Sequence, residues 1–519
     1  MVKGLRKMIF CAGIICLLFV QLPAAYAAKE ADGVHITIFH TNDMHARVQA
    51  GDDYGKSMGL AQIAAVIKEQ KAKDPDTIAL DAGDTLHGMP MINISKGENA
   101  VRLLNEAGYD AMVPGNHDYN YGSEQLLKLS RELNFPVLSA NTVDKKSKKL
   151  LFPAYKEMEL DGVRIAVFGL TTPETAYKSA PKNVKSVSFQ DPVAAAQKMV
   201  DELRANHDVL IAVTHIGLDK SSVVTSEVLA QKVKGIDVII DGHSHTDLPQ
   251  GLVAGDTLIA QTGWHDYRLG EVDLVVRNHQ VTAKSAKLLD AAAAKQLAPV
   301  PEAAIKSLLD EMEAQNKKAF DTIVAHSPKN LSGERELVRT QETEIGDLCT
   351  DAFRWEAKAD IAITNGGSIR QGIQAGPITK REIMAVFPFG NTLQKIEVSG
   401  AVLRQILEHS VSGYPAASGG FLQVSGISFC FDAAKPVGQR IVSVQVGNAP
   451  LQERKLYTLA TNDFLVAGGD GYTMLSGAKV LGEYGTCEEI IADYLNQVGM
   501  MNLSMGRILC QSVEEKKAA

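Results

Sequence analysis

Residues 35–47, HITIFHTNDMHAR, set the reading of this chain. Polar and apolar residues alternate through His35-Ile36-Thr37-Ile38-Phe39, the period of a half-buried strand, and the run breaks into His40, Asn42, Asp43 and His45. Asp43 and His45 stand two apart on a turn, a hard carboxylate and an imidazole that can aim at one cation. Alone, such a pair is more often a solvated turn than a site. What decides between the two is whether other ligand groups share its setting.

They do. After a helix at 59–73, the apolar residues 77–81 (TIALD) run into Ala82-Gly83-Asp84-Thr85. A helix at 99–107 leads to a short strand at 111–113, which breaks at Pro114-Gly115 into Asn116-His117-Asp118. A strand at 164–169 and a helix at 193–205 follow; then the apolar run 209–214 ends on His215, and 236–240 ends on Asp241-Gly242-His243-Ser244-His245. Five times a β-rich run delivers Asp, Asn or His to the next turn. In α/β folds, sites gather where the carboxyl ends of strands converge. Asp43, His45, Asp84, Asn116, His215, His243 and His245 form an oxygen and nitrogen set without sulfur, suited to Mn²⁺, Zn²⁺, Fe, Co²⁺ or Ni²⁺. They are more than one tetrahedral site needs. The set suits two divalent ions sharing a bridging carboxylate, for which Asp84 is the natural candidate. Two such ions activate water and clamp an oxyanion in phosphate ester hydrolysis.

The segments HTNDMHA, DAGDTLHG, VPGNHDYN and DGHSHT together resemble the calcineurin-like metallophosphoesterase superfamily, and most closely its 5′-nucleotidase branch. The resemblance implies that Asp43, His45, Asp84 and His245 hold one metal, and Asp84, Asn116, His215 and His243 the other. It makes His117 the catalytic histidine that stabilises the transition state or protonates the leaving oxygen. Many family members orient this histidine with an Asp three residues on; here that position is Asn120, so either Asn120 or Asp118 does so. Several relatives carry Gln or Asn where this chain has His245, which bears on metal preference. Of the other histidines, His40 is expected to pack beside the site, His87 either supports it or does not, and His265 lies near it.

The remaining chain frames this centre. With 519 residues, 45% hydrophobic and 22% charged, it has the composition of a soluble protein of two or three domains. A net charge of −8 and the lack of a dense basic patch argue against a nucleic-acid polymer as partner. Lys3, Arg6 and Lys7, a short apolar run and an A-x-A site ending at Ala27 read as a signal peptide over 1–27. The mature protein is therefore expected to be exported, periplasmic or secreted, without a stable membrane anchor. Cys349, Cys430, Cys487 and Cys510 contain no C-x-x-C, which disfavours a thiolate metal site. A Cys487–Cys510 disulfide and free thiols both stay open.

We expect an α/β (α+β) protein: a layered α/β metallophosphoesterase domain over 33–295, a helical linker over 296–325, a second α/β substrate-binding domain over 326–510 and a polar tail over 511–519. The linker sequence fits a helix with Pro301 in its first turn, or equally a surface helix of the first domain. In the second domain Asn365-Gly366-Gly367 and Arg370 offer close backbone approach and a carboxylate- or phosphate-pairing cation. Phe389 and Phe464 lie in polar, Gly-containing loops where rings can sandwich a base, and Asp470 can accept from ribose. This part also resembles the C-terminal domain of 5′-nucleotidases. By that resemblance Arg339, Asn365 and Arg370, with the Gly366-Gly367 turn, bind substrate. Phe389 and Phe464 stack the base, Asn391 sits at its edge, Asp470 binds ribose, and the second domain rotates to bring substrate to the metals. Thr343 stands where some relatives carry a further Arg. The expected activity is release of phosphate from nucleoside 5′-monophosphates, with UDP-sugars as possible further substrates. The alternatives are 2′,3′-cyclic nucleotide 2′-phosphodiesterase/3′-nucleotidase activity and a non-catalytic nucleotide-binding protein.

Overall fold

A computed structural model describes residues 33–51, 56–176, 178–179, 183–220, 222–499 and 505–511. The signal segment 1–27 and residues 512–519 of the polar tail lie outside the described residues.

The first domain is two sheets packed face to face. One has β1 (Val34–Thr41) at its centre, followed in the chain by α1 (Leu60–Lys73), β2 (Thr77–Asp81), α2 (Glu98–Ala107) and β3 (Ala111–Met112). The other is built from β4 (Tyr155–Leu160), β5 (Val163–Thr171), β6 (Val209–His215), β7 (Val238–Ile240), β8 (Leu252–Ala254) and β9 (Thr257–Ala260), with α3 (Pro192–Leu203) between β5 and β6. The antiparallel pair β10 (Leu269–Arg277) and β11 (Gln280–Leu289) returns to the first sheet, whose order is β11-β10-β1-β2-β3; the second runs β8-β9-β7-β6-β5-β4. Strand alternation explains the layering. Ile36, Ile38, Ile78 and Leu80 point inward against Ile165, Val167, Ile211, Val213 and Ile240, whereas Phe39 and Ala79 face the helices outside.

This topology aims the site. β1 and β2 are parallel, with Thr41 beside Asp81; β5, β6, β7 and β9 are parallel, with Thr171 beside His215 and Val213 beside Ile240. Their carboxyl ends therefore open onto one edge of the sandwich, and the turns that follow meet there. His40 lies on β1 itself. It is buried in the sheet with its ring against Gly270, its pairing partner on β10.

The helix between the domains is α4 (Ala303–Phe320). It lies on the first domain: the Glu302 amide donates to the Ala61 carbonyl (2.8 Å), Asn316 Nδ2 to the Met91 carbonyl (3.2 Å), and Arg102 pairs with Glu311 (3.1 Å). The second domain is a sheet of order β14-β12-β16-β13-β17, formed by β12 (Ile361–Asn365), β13 (Thr392–Ser399), β14 (Leu422–Ser425), β16 (Leu456–Asn462) and β17 (Lys479–Thr486). α5 (Glu344–Ala357) and α6 (Cys487–Val498) cover one face; β15 (Ile427–Asp432) and its neighbours form a smaller sheet that β18 (Ile508–Gln511) closes in parallel. Gln511, expected to begin the polar tail, is the last residue of β18. Thr343 is the N-cap of α5, accepting from the Gly346 amide at 3.2 Å. Cys349, Cys487 and Cys510 are free thiols, so the Cys487–Cys510 disulfide is not formed.

Candidate active site

Three of the turns at the sandwich edge are held in a conformation that side chains rarely adopt. Asp43, His45, Asp84, His243 and His245 all have positive φ, from 45° to 76°. Such residues persist only where their surroundings over-determine them, and they concentrate at functional sites. Here neighbouring turns supply the constraint: the Asp43 amide donates to the Gly83 carbonyl and the His45 amide to the Asp84 carbonyl, both at 2.8 Å. Asn42 Nδ2 donates to Asp43 Oδ2 at 2.7 Å, while the Thr262 amide holds Asn42 Oδ1 at 2.8 Å. Gly115 has to be glycine, because a Cβ there would stand 2.2 Å from Asp84 Oδ1.

The side chains converge on overlapping triads that could hold metal ions: Asp43, His45 and His245; His45, Asp84 and His117; and Asp43, Asp84 and His215. His45 Nε2 lies 3.1 Å from His245 Nε2, which is 3.4 Å from Asp43 Oδ1; His215 Nε2 lies 3.2 Å from Asp84 Oδ2 and 3.9 Å from Asp43 Oδ1. Asn116 Oδ1 is buried without a hydrogen-bond partner, and His215 Nε2 faces only carboxylates: burial lowers the His215 pKa, but Asp84 and Asp43 more than offset it and raise it to about 10. His215 Nδ1 is engaged by the Ala82 carbonyl at 2.7 Å, which turns Nε2 to the site. His243 touches the cluster by its ring, 5.1 Å from that of His215, and its Nε2 faces Glu174 at 3.2 Å. Burial raises the Asp84 carboxyl, yet His215 and His117 beside it hold it well below the usual range. Burial pushes the His45 imidazole well below its usual value, which keeps its nitrogens available as ligands.

His117 is held by Asn120, not Asp118. Asn120 Nδ2 lies 3.1 Å from His117 Nδ1 and 3.2 Å from His87 Nδ1, so one amide bridges two imidazoles that stack 6.2 Å apart. Asp118 instead accepts from the backbone amides of Asp84, Thr85, Leu86 and Gly115, at 2.8–3.0 Å. Burial favours neutral His117, but Asp84 and Glu483 more than offset it and raise its pKa to about 9. His265 lies near the site, its ring 6.0 Å from that of His45 and stacked on the half-exposed Trp264.

In the second domain, Asn365 Nδ2 donates to Asp470 Oδ2 (2.8 Å), and Arg370 Nη1 reaches the Gly367 carbonyl (3.4 Å). The Arg370 guanidinium lies 5.6 Å from the centre of the Phe389 ring. Burial lowers the Arg339 pKa, and the nearby charges of Arg335 and Arg370 lower it further. Phe464 is 42% exposed with its ring over Gly469. A Cβ on Gly366 would fall 2.1 Å from the Val338 carbonyl oxygen, so this turn closes only around glycine. Asn391 is turned away to Asp463 Oδ1, at 2.8 Å.

The calcineurin-like phosphoesterase family matches residues 36–247, and the 5′-nucleotidase, C-terminal domain family matches residues 323–477. The 5′-nucleotidase of Diplobatis ommata is 32% identical over 544 residues, which cover 94% of this chain and 92% of that protein. The chain belongs to the 5′-nucleotidase family. It is accordingly a metal-dependent phosphoester hydrolase. The crystal structure of a 5′-nucleotidase precursor from Thermus thermophilus is 30% identical, with a TM-score of 0.56 over 92% of this chain and all of that one. Haemophilus influenzae NAD nucleotidase shares the fold, with a TM-score of 0.74 at 22% identity over 93% of this chain and all of that one.

Four charged groups at the site escaped sequence reasoning. Glu174 and Lys178 follow β5 and pair with each other at 3.1 Å beside His243. Glu483 on β17 comes from the second domain to within 3.3 Å of His117 Nε2, and Glu489 on α6 to within 3.5 Å of His87 Nε2. Nothing in the local sequence marks them, since each is an ordinary charge in an ordinary element. Among the described residues no helix is long and apolar enough to cross a membrane.

Proposed function

We propose that this chain releases phosphate from nucleoside 5′-monophosphates with the help of two divalent metal ions, Mn²⁺, Zn²⁺, Co²⁺ or similar. The observation that carries the reading is the overlap of the three triads through Asp43 and Asp84, with the orphaned acceptor Asn116 Oδ1 beside them. Asp43, His45, Asp84 and His245 would hold one ion, and Asp84, Asn116, His215 and His243 the other. His243 would contribute Nδ1, because its Nε2 is taken by Glu174. When bound, the ions supply Lewis acidity for the attacking water and for the charge that develops on phosphorus.

The remaining roles belong to the protein. The Asn120 amide fixes the His117 ring at Nδ1, and the imidazolium that Asp84 and Glu483 favour gives its Nε2 proton to the departing nucleoside oxygen, leaving a neutral imidazole. Arg339 and Arg370 bind phosphate, Asn365 and Asp470 the ribose, and the exposed ring of Phe464 stacks the base with Phe389. Gly366 and Gly367 let the backbone approach the nucleotide, and Asn391 would have to leave Asp463 to reach a base edge. Export by the segment 1–27 belongs to the same reading, as do a periplasmic or secreted location and activity on UDP-sugars.

The test is purified protein with Mn²⁺ and, separately, AMP, UDP-glucose and 2′,3′-cyclic AMP. Phosphate from AMP is the expected result, with slower release of UMP from UDP-glucose. Turnover of the cyclic ester alone would replace the 5′-nucleotidase reading with the cyclic phosphodiesterase one, and turnover of none would remove both.

A further inference from the structure

Trp264 is held half in water by the turns that carry the candidate ligands. Asn42 Nδ2 donates to the Gly263 carbonyl and the His265 amide to the Asp43 carbonyl, both at 2.7 Å, while the Gly263 amide donates to the Thr246 carbonyl at 3.0 Å. The residues on both sides of Trp264 are thereby fixed to the site, His265 with a φ of 57°. The indole stacks on the His265 ring, 4.6 Å away with 14° between planes, and its other ring neighbour is His245 at 5.2 Å. A single exposed apolar side chain is ordinary on an adaptable surface. Here a large ring is fixed beside a candidate metal ligand with 46% of its surface open.

Ring contacts place Trp264 apart from His117. His45 meets the rings of His245 and His265, at 5.2 and 6.0 Å, and His117 lies on from His45 at 5.1 Å, so two imidazoles separate Trp264 from His117 by either route. His117 faces Glu483, and its neighbour His87 faces Glu489, both from the second domain. The departing oxygen and the second domain thus belong to the His117 side, and Trp264 to the other. A nucleoside monophosphate carries no group on its phosphorus that would use the indole. A nucleoside diphosphate ester does, once its distal phosphorus is the one attacked. Exposed Asp247 stands alongside, joined by a backbone bridge to Thr262 just before the turn. An aromatic face with a carboxylate suits a sugar ring, which offers C–H groups to one and hydroxyl donors to the other. We propose that Trp264 and Asp247 form a subsite for the sugar of a nucleoside diphosphate sugar, and that the phosphorus bearing the sugar is attacked. The water oxygen bonds to that phosphorus, and the bridging P–O bond breaks with its electron pair going to the nucleoside monophosphate. One proton of the water stays with the sugar phosphate and the other goes to the nucleoside monophosphate. The inference deepens the phosphohydrolase reading of the site and rests on it.

Trp264 and Trp355 are the only tryptophans of the chain, and Trp355 packs on Tyr494 in the second domain, so in Trp355→Phe protein the tryptophan emission reports on Trp264 alone. Titrating the full-length, Mn²⁺-loaded protein with glucose 1-phosphate is expected to change that emission, and inorganic phosphate to leave it as it was. Equal responses to the two, or none to glucose 1-phosphate, would overturn the subsite. Hydrolysis of UDP-glucose in ¹⁸O-water should place the label in glucose 1-phosphate; label in UMP, or no turnover, would overturn the choice of phosphorus. Trp264→Ala should lower kcat/KM for UDP-glucose about 10-fold relative to that for AMP, chiefly through KM, the scale of a lost ring stack. Trp264→Phe should recover part of the loss, and Asp247→Asn should lower the same ratio by a smaller factor. A Trp264→Ala loss equal on both substrates, or in step with a loss of bound manganese, would make the ring structural and overturn the proposal. If glucose 1-phosphate binding depends on Trp264 but AMP is not hydrolysed, the subsite stands and the 5′-nucleotidase reading alone falls.

Discussion

In the metal domain Asp43, Asp84, Asn116 and His215 are buried, Asp43, His45, Asp84, His243 and His245 carry strained backbone, and neighbouring turns are pinned to one another by hydrogen bonds, as Asp43 is by Gly83 and His45 by Asp84. The second domain presents its candidate binders differently. Phe464 is 42% exposed, Arg370 rests on the Phe389 ring, and the Asn365–Asp470 bond joins two loops from distant parts of the chain. The contrast follows from the tasks. Positioning small ions to a fraction of an ångström needs rigid donors on strand ends, whereas a base is held by contact area that tolerates adjustment. Buried carboxylates show the same division. Asp84 is kept ionised by the histidines around it, but Asp347 in the second domain is buried without a hydrogen bond, its nearest cation Arg507 at 3.5 Å, and burial pushes its carboxyl up to about 8.

The largest effect should come from the most constrained residue. Asp84→Asn keeps a side chain that tolerates positive φ but removes the shared charge; manganese binding and turnover are expected to fall together, turnover by about 10³-fold or more. If the variant binds two ions normally, Asp84 does not bridge. His117→Ala should retain metal and lose about 10²- to 10⁴-fold in kcat, the usual range for an acid–base group. A fully active variant would remove His117 from leaving-group chemistry. Across the cleft the losses should be smaller and confined to binding. Phe464→Ala is expected to raise KM for AMP about 10-fold, within the range of a lost stack, and to leave p-nitrophenyl phosphate unaffected; equal effects on both would make the ring structural.

The smallest prediction concerns stability. The Asp347 pKa is raised in the folded state above the value of about 4 for an unfolded chain. The fold therefore holds a proton that the unfolded chain releases. That contribution is complete below about pH 4 and is lost as pH rises to about 8. Asp347→Asn should remove the slope. Urea denaturation should find the variant more stable than the parent at pH 8, with the gap closing toward pH 4; a constant gap would place the effect in packing instead of charge.

What the chain spells out locally was legible. Strands ending in Asp, Asn or His are rare enough together that Asp43, Asp84, Asn116, His215 and His243 could be chosen from period and residue type, and parallel pairing does bring their turns to one edge. Other features needed the fold. Asp118 and Asn120 are equally plausible partners for His117 in sequence, and only the turn geometry gives Asp118 to four backbone amides and Asn120 to the imidazole. Glu483 is separated from His117 by hundreds of residues and meets it only because β17 packs against the metal edge.

The amino-acid sequence thus determined the candidate ligand types and the strands that carry them, because both depend on residue type and short-range spacing. Tertiary structure decided which charges share one buried volume. Electrostatic partners are set by distance through space, and neither period nor motif encodes the approach of Lys178 to Glu174 or of one domain's carboxylate to the other domain's catalytic edge.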